Sequence, residues 1–150
     1  METRLNVFEK GMPALKPIFG LAAYIKKSSI EGKLKELVDF RVSQMNGCAY
    51  CLDMHWKEAV AHGETEQRLY GLSAWREAPY YTDRERAALA WAEAMTNVDI
   101  SDDVYAKVKT QLSDEELIDL TIVVTTINTW NRINIAFPNA VGTYKVGQWG

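Results

Sequence analysis

Two thiols and an imidazole crowd one short stretch of this chain. Both cysteines fall in the phrase Asn46-Gly47-Cys48-Ala49-Tyr50-Cys51-Leu52-Asp53-Met54-His55. In a helix, positions i, i+3 and i+7 lie within an arc about 60° wide at about 100° per residue, so Cys48, Cys51 and His55 share one face. A vicinal dithiol beside a titratable base is the minimal apparatus for thiol redox chemistry. The thiolate is the nucleophile, and a second thiol turns an oxidised sulfur into a disulfide before it reaches an irreversible acid. Asn46 or Gly47 is placed to cap the helix, which puts Cys48 in the first turn, where unpaired N–H groups and the helix dipole favour an anion. His55 follows Cys51 by one turn, within reach to take its proton or return one.

Other chemistries for these residues are weaker. A structural zinc takes four protein ligands, and only Cys48, Cys51, His55 and the more distant His62 offer nitrogen or sulfur. His62 falls about 70° round the helix from His55, so no metal is expected. A thioredoxin-type site needs a βαβ setting, and none precedes the motif. Two inert core cysteines remain an alternative, since free cysteine is commonly buried, but His55 argues against it. His62 suits the dipole at a helix end. Tyr50 is placed to cover the dithiol, and Asp53 receives no role. Arg132, on a largely apolar segment, calls for a carboxylate partner, structural or intersubunit. Trp75, Trp91, Tyr80 and Tyr81 read as packing or interface.

The elements that must position the motif read as helices. The first starts near Pro13, with Leu15, Ile18, Phe19, Ala22 and Ile25 on one face and Pro17 limiting or bending its first turn. The second runs from Glu31 to Met45, with Leu34, Leu37, Val38, Val42 and Met45 spaced for burial, and Asn46-Gly47 breaks it. The third carries the cysteines to His62, with Gly63 following its end. A short fourth spans Thr65 to Trp75, and residues 76–81 form a loop. Thr82-Asp-Arg-Glu85 and Ser113-Asp-Glu-Glu116 are capping boxes, the first opening a helix to Thr96. Ser101 caps another helix to Gln111. The run Thr121 to Ile127 has the composition of a strand, but the cap before it, its length and Pro138 after it make Leu117 to Phe137 a buried helix.

The fold is therefore all-α, a helical bundle of six to seven helices, with residues 1–150 as a single domain. An apolar fraction of 47% and a charged fraction of 25% suit a soluble globular chain. A net charge of −3, with no basic run longer than Lys26-Lys27, excludes a nucleic-acid footprint. No membrane span is expected, because Leu117 to Phe137 carries Asp119, Arg132 and several Asn and Thr. The N-terminus has no signal-peptide pattern, so a reducing, cytoplasmic setting is expected, where C-x-x-C pairs are catalytic or metal-binding more often than structural.

The segment Glu36-Leu-Val-Asp-Phe-Arg-Val-Ser-Gln-Met-Asn-Gly-Cys-Ala-Tyr-Cys-Leu-Asp-Met-His55 resembles the alkylhydroperoxidase D-like family, within the carboxymuconolactone decarboxylase superfamily. Ser73 to Pro79, Asp83 to Glu93 and Ile127 to Arg132 extend the likeness, which covers Val7 to Phe137. The resemblance implies an all-helical homo-oligomer, trimeric or hexameric, that reduces hydroperoxides with no cofactor beyond its cysteine pair. By carry-over, Cys51 attacks the peroxide, Cys48 resolves the oxidised sulfur, and His55 with Glu36 forms a proton relay. An external dithiol, which in the family can be a lipoylated protein, restores the thiols. One departure concerns the position before the second cysteine. The family's best-studied branch has a second histidine there, and this chain has Tyr50, a poor base near neutral pH. Two further readings are a disulfide oxidoreductase or redox sensor without peroxidase turnover, and a lactone decarboxylase of the same superfamily, which has no need of the dithiol.

Overall fold

The computed structural model describes residues 4–150, and every regular element among them is helical. Eight α-helices follow one another: α1 (Val7–Lys10), α2 (Met12–Ile25), α3 (Gly32–Asn46), α4 (Ala49–Ala61), α5 (Glu66–Tyr70), α6 (Asp83–Asn97), α7 (Asp102–Lys109) and α8 (Asp114–Ala136). A single 3₁₀ turn, Leu72–Ala74, follows α5. The count exceeds the six to seven expected. A one-turn helix such as α1, held by the Asn6 side chain accepting from Glu9 N, is too short to show a periodicity. The expected helix from Thr65 to Trp75 divides into α5 and the 3₁₀ turn. α2 continues through Pro17 to Ile25 as one helix.

α3 is the central element. Leu34, Val38 and Val42 enter one core with Trp91, Val108, Leu120, Val124 and Ile127. Leu37 and Phe40 enter a second core with Leu69, Leu72, Trp75 and Tyr81. A helix buried on more than one side must also bury polar groups. α3 places Glu36, Asp39 and Ser43 inside, where each needs a partner. Ser43 Oγ donates to Asp39 O at 2.7 Å and accepts from Asn131 Nδ2 of α8 at 3.0 Å. Asn46 Nδ2 donates to Asn128 and Asn131, each at 2.9 Å. This polar ladder fixes α8 against α3.

α6 and α8 both open with complete capping boxes, Thr82 with Glu85 and Ser113 with Glu116. The strand-like run Thr121 to Ile127 lies inside α8. Burial of Val123, Val124, Thr126 and Ile127 among neighbouring helices overrides its intrinsic preference. Trp75 and Tyr81 are core residues, and Trp91 packs in the first core with its indole N–H on Thr121 Oγ1. Among the described residues of the single chain, no carboxylate pairs with Arg132. Arg132 lies on the outer face of α8 and donates to the carbonyl and side-chain oxygens of Asn128, so its charge stays hydrated.

Candidate active site

The turn between α3 and α4 sets the site. Gly47 adopts φ +67°, the left-handed conformation that ends α3, and Cys48 follows at once in extended backbone as the N-cap of α4. Neither Asn46 nor Gly47 caps α4, as the sequence suggested, because both are used in closing α3. Cys48 caps the helix itself: its Sγ accepts the N–H of Cys51 at 3.3 Å. The helix N-terminus thus acts on Cys48 more directly than a first-turn position implied. The two sulfurs are joined as a disulfide, and both cysteines are buried.

The tight turn lays α4 against α3 and brings His55 to Glu36. His55 Nδ1 lies 2.7 Å from Glu36 Oε2 and 3.7 Å from Asp39 Oδ2. A carboxylate only accepts, so the ring proton sits on Nδ1 and Nε2 is left to exchange a proton. Lys35 joins the group, with Nζ 2.7 Å from Glu36 Oε1 and 2.7 Å from Asp39 Oδ2. Burial works to raise the Glu36 carboxyl, but His55 and Lys35 outweigh it and hold the group down at about 2. Asp39 moves the other way: its full burial raises the carboxyl above the usual range despite Lys35 and His55. Burial also opposes the Lys35 charge, yet the two carboxylates hold its ammonium above the ordinary lysine value.

Glu36, Asp39 and His55 each offer a ligand atom within 4.8 Å of the others. The Lys35 ammonium already occupies the cation's place between the two carboxylates. His62, the last candidate for a zinc set, caps α4 and engages Glu58 O through Nδ1 at 2.8 Å.

Cys51 and His55 open together onto a cavity of about 120 Å³ between α2, α4 and α8. Cys48 is not on its wall. The cavity is largely apolar, with Phe8, Phe19, Trp130 and Trp149 forming an aromatic side. Asn134 of α8 donates through Nδ2 to Cys51 Sγ at 3.8 Å. Its amide is oriented by Asn139 Nδ2, which donates to Asn134 Oδ1 at 2.7 Å. Tyr50 lines the cavity, and its hydroxyl accepts from the Trp149 indole at 3.1 Å.

Trp149 belongs to the segment after α8, which runs back along α4. Lys57 Nζ donates to the carbonyls of Gly142 and Tyr144, Asp53 accepts the Gly142 N–H, and Glu58 accepts from Gly147 N and the Tyr144 hydroxyl. Asp53 thus has a structural role that the sequence did not reveal.

Cys48, Cys51, His55 and Glu36, the four residues singled out from the sequence, converge in one site. Lys35, Asp39, Asn134 and the aromatic wall were missed. Asn134 left a trace: Asn128, Asn131 and Asn134 recur every three residues in an apolar helix, where an amide must find a partner.

The model of the carboxymuconolactone decarboxylase family matches residues 13–94. An uncharacterized Bacillus subtilis protein, YdfG, is 41% identical over 142 residues, covering 93% of this chain and 97% of that one. A crystal structure from Agrobacterium tumefaciens, of a protein of unknown function designated a candidate antioxidant defence protein AhpD, superposes with a TM-score of 0.90 at 37% identity. It covers 95% of this chain and 100% of that one. The debrominase Bmp8 shares the fold, with a TM-score of 0.78 at 23% identity over 87% of this chain and 73% of its own. No helix among the described residues is long and apolar enough to cross a membrane. With more than half its length matched by the family model and a relative this similar along nearly its whole length, the chain belongs to the carboxymuconolactone decarboxylase family, among its alkylhydroperoxidase D-like members.

Proposed function

We propose that the protein is a thiol-dependent peroxidase that reduces organic hydroperoxides through Cys51 and Cys48. The observation that carries this reading is the pairing of a sulfur on the cavity wall with one behind it, both buried. Cys51 faces the cavity beside His55, while Cys48 lies behind it within bonding distance.

In the reduced protein, His55 Nε2 accepts the Cys51 proton and Asn134 donates to the resulting thiolate. The thiolate attacks the distal oxygen of the hydroperoxide. The O–O bond breaks, Cys51 becomes a sulfenic acid, and the departing alkoxide takes the proton from His55 and leaves as the alcohol. Glu36 holds the imidazole in one tautomer and stabilises its charged form, with Lys35 keeping Glu36 ionised and Asp39 holding the Lys35 ammonium in place. Cys48 then attacks the Cys51 sulfur, a disulfide forms, and water leaves with the sulfenic oxygen. An external dithiol, such as a lipoylated partner protein, attacks Cys51 from the cavity. Cys48 departs as the thiolate that the Cys51 N–H is placed to stabilise. The dithiol ends as a disulfide and the enzyme returns to two thiols. The working form is a homo-oligomer, a trimer or hexamer, in a reducing cytoplasm.

The alternative, disulfide exchange with little peroxide turnover, is favoured by Tyr50, which leaves the site one base. A lactone decarboxylase would have no use for the dithiol. Sulfenic-acid trapping separates these readings. In Cys48→Ser treated with cumene hydroperoxide, a dimedone adduct is expected on Cys51. Its absence, or an adduct only on Cys48 in Cys51→Ser, would reverse the assignment.

A further inference from the structure

One polar atom in the cavity has no partner. Among the described residues, Thr126 Oγ1 is the buried side-chain oxygen left without a hydrogen bond. The residue is 5% exposed and lines the cavity. The other three threonines of α8 behave differently: Thr121, Thr125 and Thr129 all donate to carbonyls of their own helix. A buried hydroxyl left open at a cavity wall is a position where a ligand oxygen gains a full hydrogen bond.

Its place along α8 sets it apart from the reacting sulfur. Thr126 and Asn134 lie eight residues apart, about 12 Å along the helix axis, with Ile127 and Trp130 of the cavity wall between them. The Asn134 end carries the Cys51 sulfur. A ligand that reaches both places an oxygen at one end and its peroxide at the other, with an apolar body between them. The cavity's volume suits a single ring. Its 120 Å³ approaches the roughly 150 Å³ of an apolar protein cavity that holds benzene. Its wall is made for a ring: Trp149 is stacked on Phe8 at 4.9 Å and 16°, and Phe19 meets Trp130 at 5.1 Å.

We infer that the cavity takes single-ring aromatic hydroperoxides that carry an oxygen substituent opposite the peroxide-bearing side chain. The ring lies against Trp149 and Trp130, and the far oxygen bonds Thr126. This specificity rests on Cys51 as the reacting sulfur; the recognition of the ring does not.

The test uses redox-inert probes on the full chain in its disulfide form, followed by amide chemical-shift titration. 4-Hydroxybenzyl alcohol, benzyl alcohol and tert-butanol stand for ring plus oxygen, ring alone and neither. The expected result is saturable binding of both aromatic probes at α8, with 4-hydroxybenzyl alcohol tighter by about fivefold. Thr126→Val should erase that ratio, and Trp149→Ala should weaken both aromatic probes by about fivefold, with Trp149→Phe restoring most of the loss. Equal affinities for the two aromatic probes, a ratio that survives Thr126→Val, or binding no better than tert-butanol would overturn the inference. If the aromatic probes bind as expected while Cys51 fails to react with any peroxide, the ring site stands and the peroxidase reading falls. Rapid peroxide reduction without aromatic selectivity would sink the ring site and leave the peroxidase standing.

Discussion

His55 Nδ1 and Glu36 Oε2 meet at 2.7 Å across the interface of α3 and α4, both residues buried and both engaged in a cluster that also holds Lys35 and Asp39. The pair fixes which imidazole nitrogen faces the cavity. Substituting His55 by Gln keeps a polar side chain but removes the base. The rate of Cys51 oxidation by cumene hydroperoxide near neutral pH should fall by about 10²-fold or more. Stopped-flow measurement with reduced protein checks this, and a fall smaller than tenfold would argue that His55 serves only in packing.

The same cluster predicts a pH dependence of stability. Burial raises the Glu36 carboxyl, but His55 and Lys35 together bring it from 4.5 to about 2. Between these values the unfolded chain binds a proton that the folded chain does not. Stability is therefore present above about 4.5 and is lost as pH falls toward 2, by up to about 3 kcal/mol. Asp39, raised by its burial, acts in the opposite sense above its ordinary 3.8 and offsets part of the slope. Glu36→Gln should flatten the dependence of unfolding free energy on pH in this window. Urea titrations at stepped pH measure it, and an unchanged slope would contradict the electrostatic account.

Asn134 donates to Cys51 Sγ and has its amide held by Asn139. Asn134→Leu removes the donor at similar size. The Cys51 thiol pKa should rise and its peroxide reaction should slow at pH 6–7, with the difference narrowing at alkaline pH as the thiolate fraction recovers. Thiolate absorbance against pH, in a Cys48→Ser background, reports the shift. An unmoved titration curve would leave Asn134 a structural role alone.

Thr126→Val replaces a buried hydroxyl that has no partner by a methyl group of the same shape. Unlike most buried Thr→Val changes, it should stabilise the protein, by about 1 kcal/mol, since no hydrogen bond is lost. Thermal unfolding checks the sign. A lower Tm would show that the hydroxyl is bonded in the free protein.

Gly47 holds φ +67° in the turn that delivers Cys48, with open space where a Cβ would lie. Gly47→Ala should therefore cost only backbone strain, about 1 kcal/mol. The substitution separates strain in the turn from crowding at the dithiol. A loss of several kcal/mol would mean the turn cannot relax around a side chain.

Much of this site was legible in the sequence, for identifiable reasons. Cys48, Cys51 and His55 lie on one helix, so spacing alone places them together. Glu36 comes from a different helix nineteen residues upstream, and only family likeness singled it out. Nothing in the sequence singled out Lys35 or Asp39. Their burial follows from α3 being covered on several sides, which its weak apolar periodicity does not announce. The N-cap was misplaced by one or two residues because Gly47 is spent on ending α3, leaving the cap to Cys48 itself. The helical state of Thr121 to Ile127 was recoverable because its capping box and length outweighed its β-branched composition. Trp149 could not be foreseen, since the segment after α8 has no periodicity and is held by scattered bonds, among them those to Asp53, Lys57 and Glu58.

The most direct test of the central claim is a thiol count. Fully reduced protein is mixed with one equivalent of cumene hydroperoxide, and free thiols are counted over time in the wild type and in Cys51→Ser. The account predicts rapid loss of both thiols in the wild type, with one equivalent of alcohol formed, and no comparable reaction in the variant. Persistence of both thiols in the wild type, with the disulfide forming only on addition of oxidised lipoamide, would contradict the peroxidase and leave a disulfide exchanger.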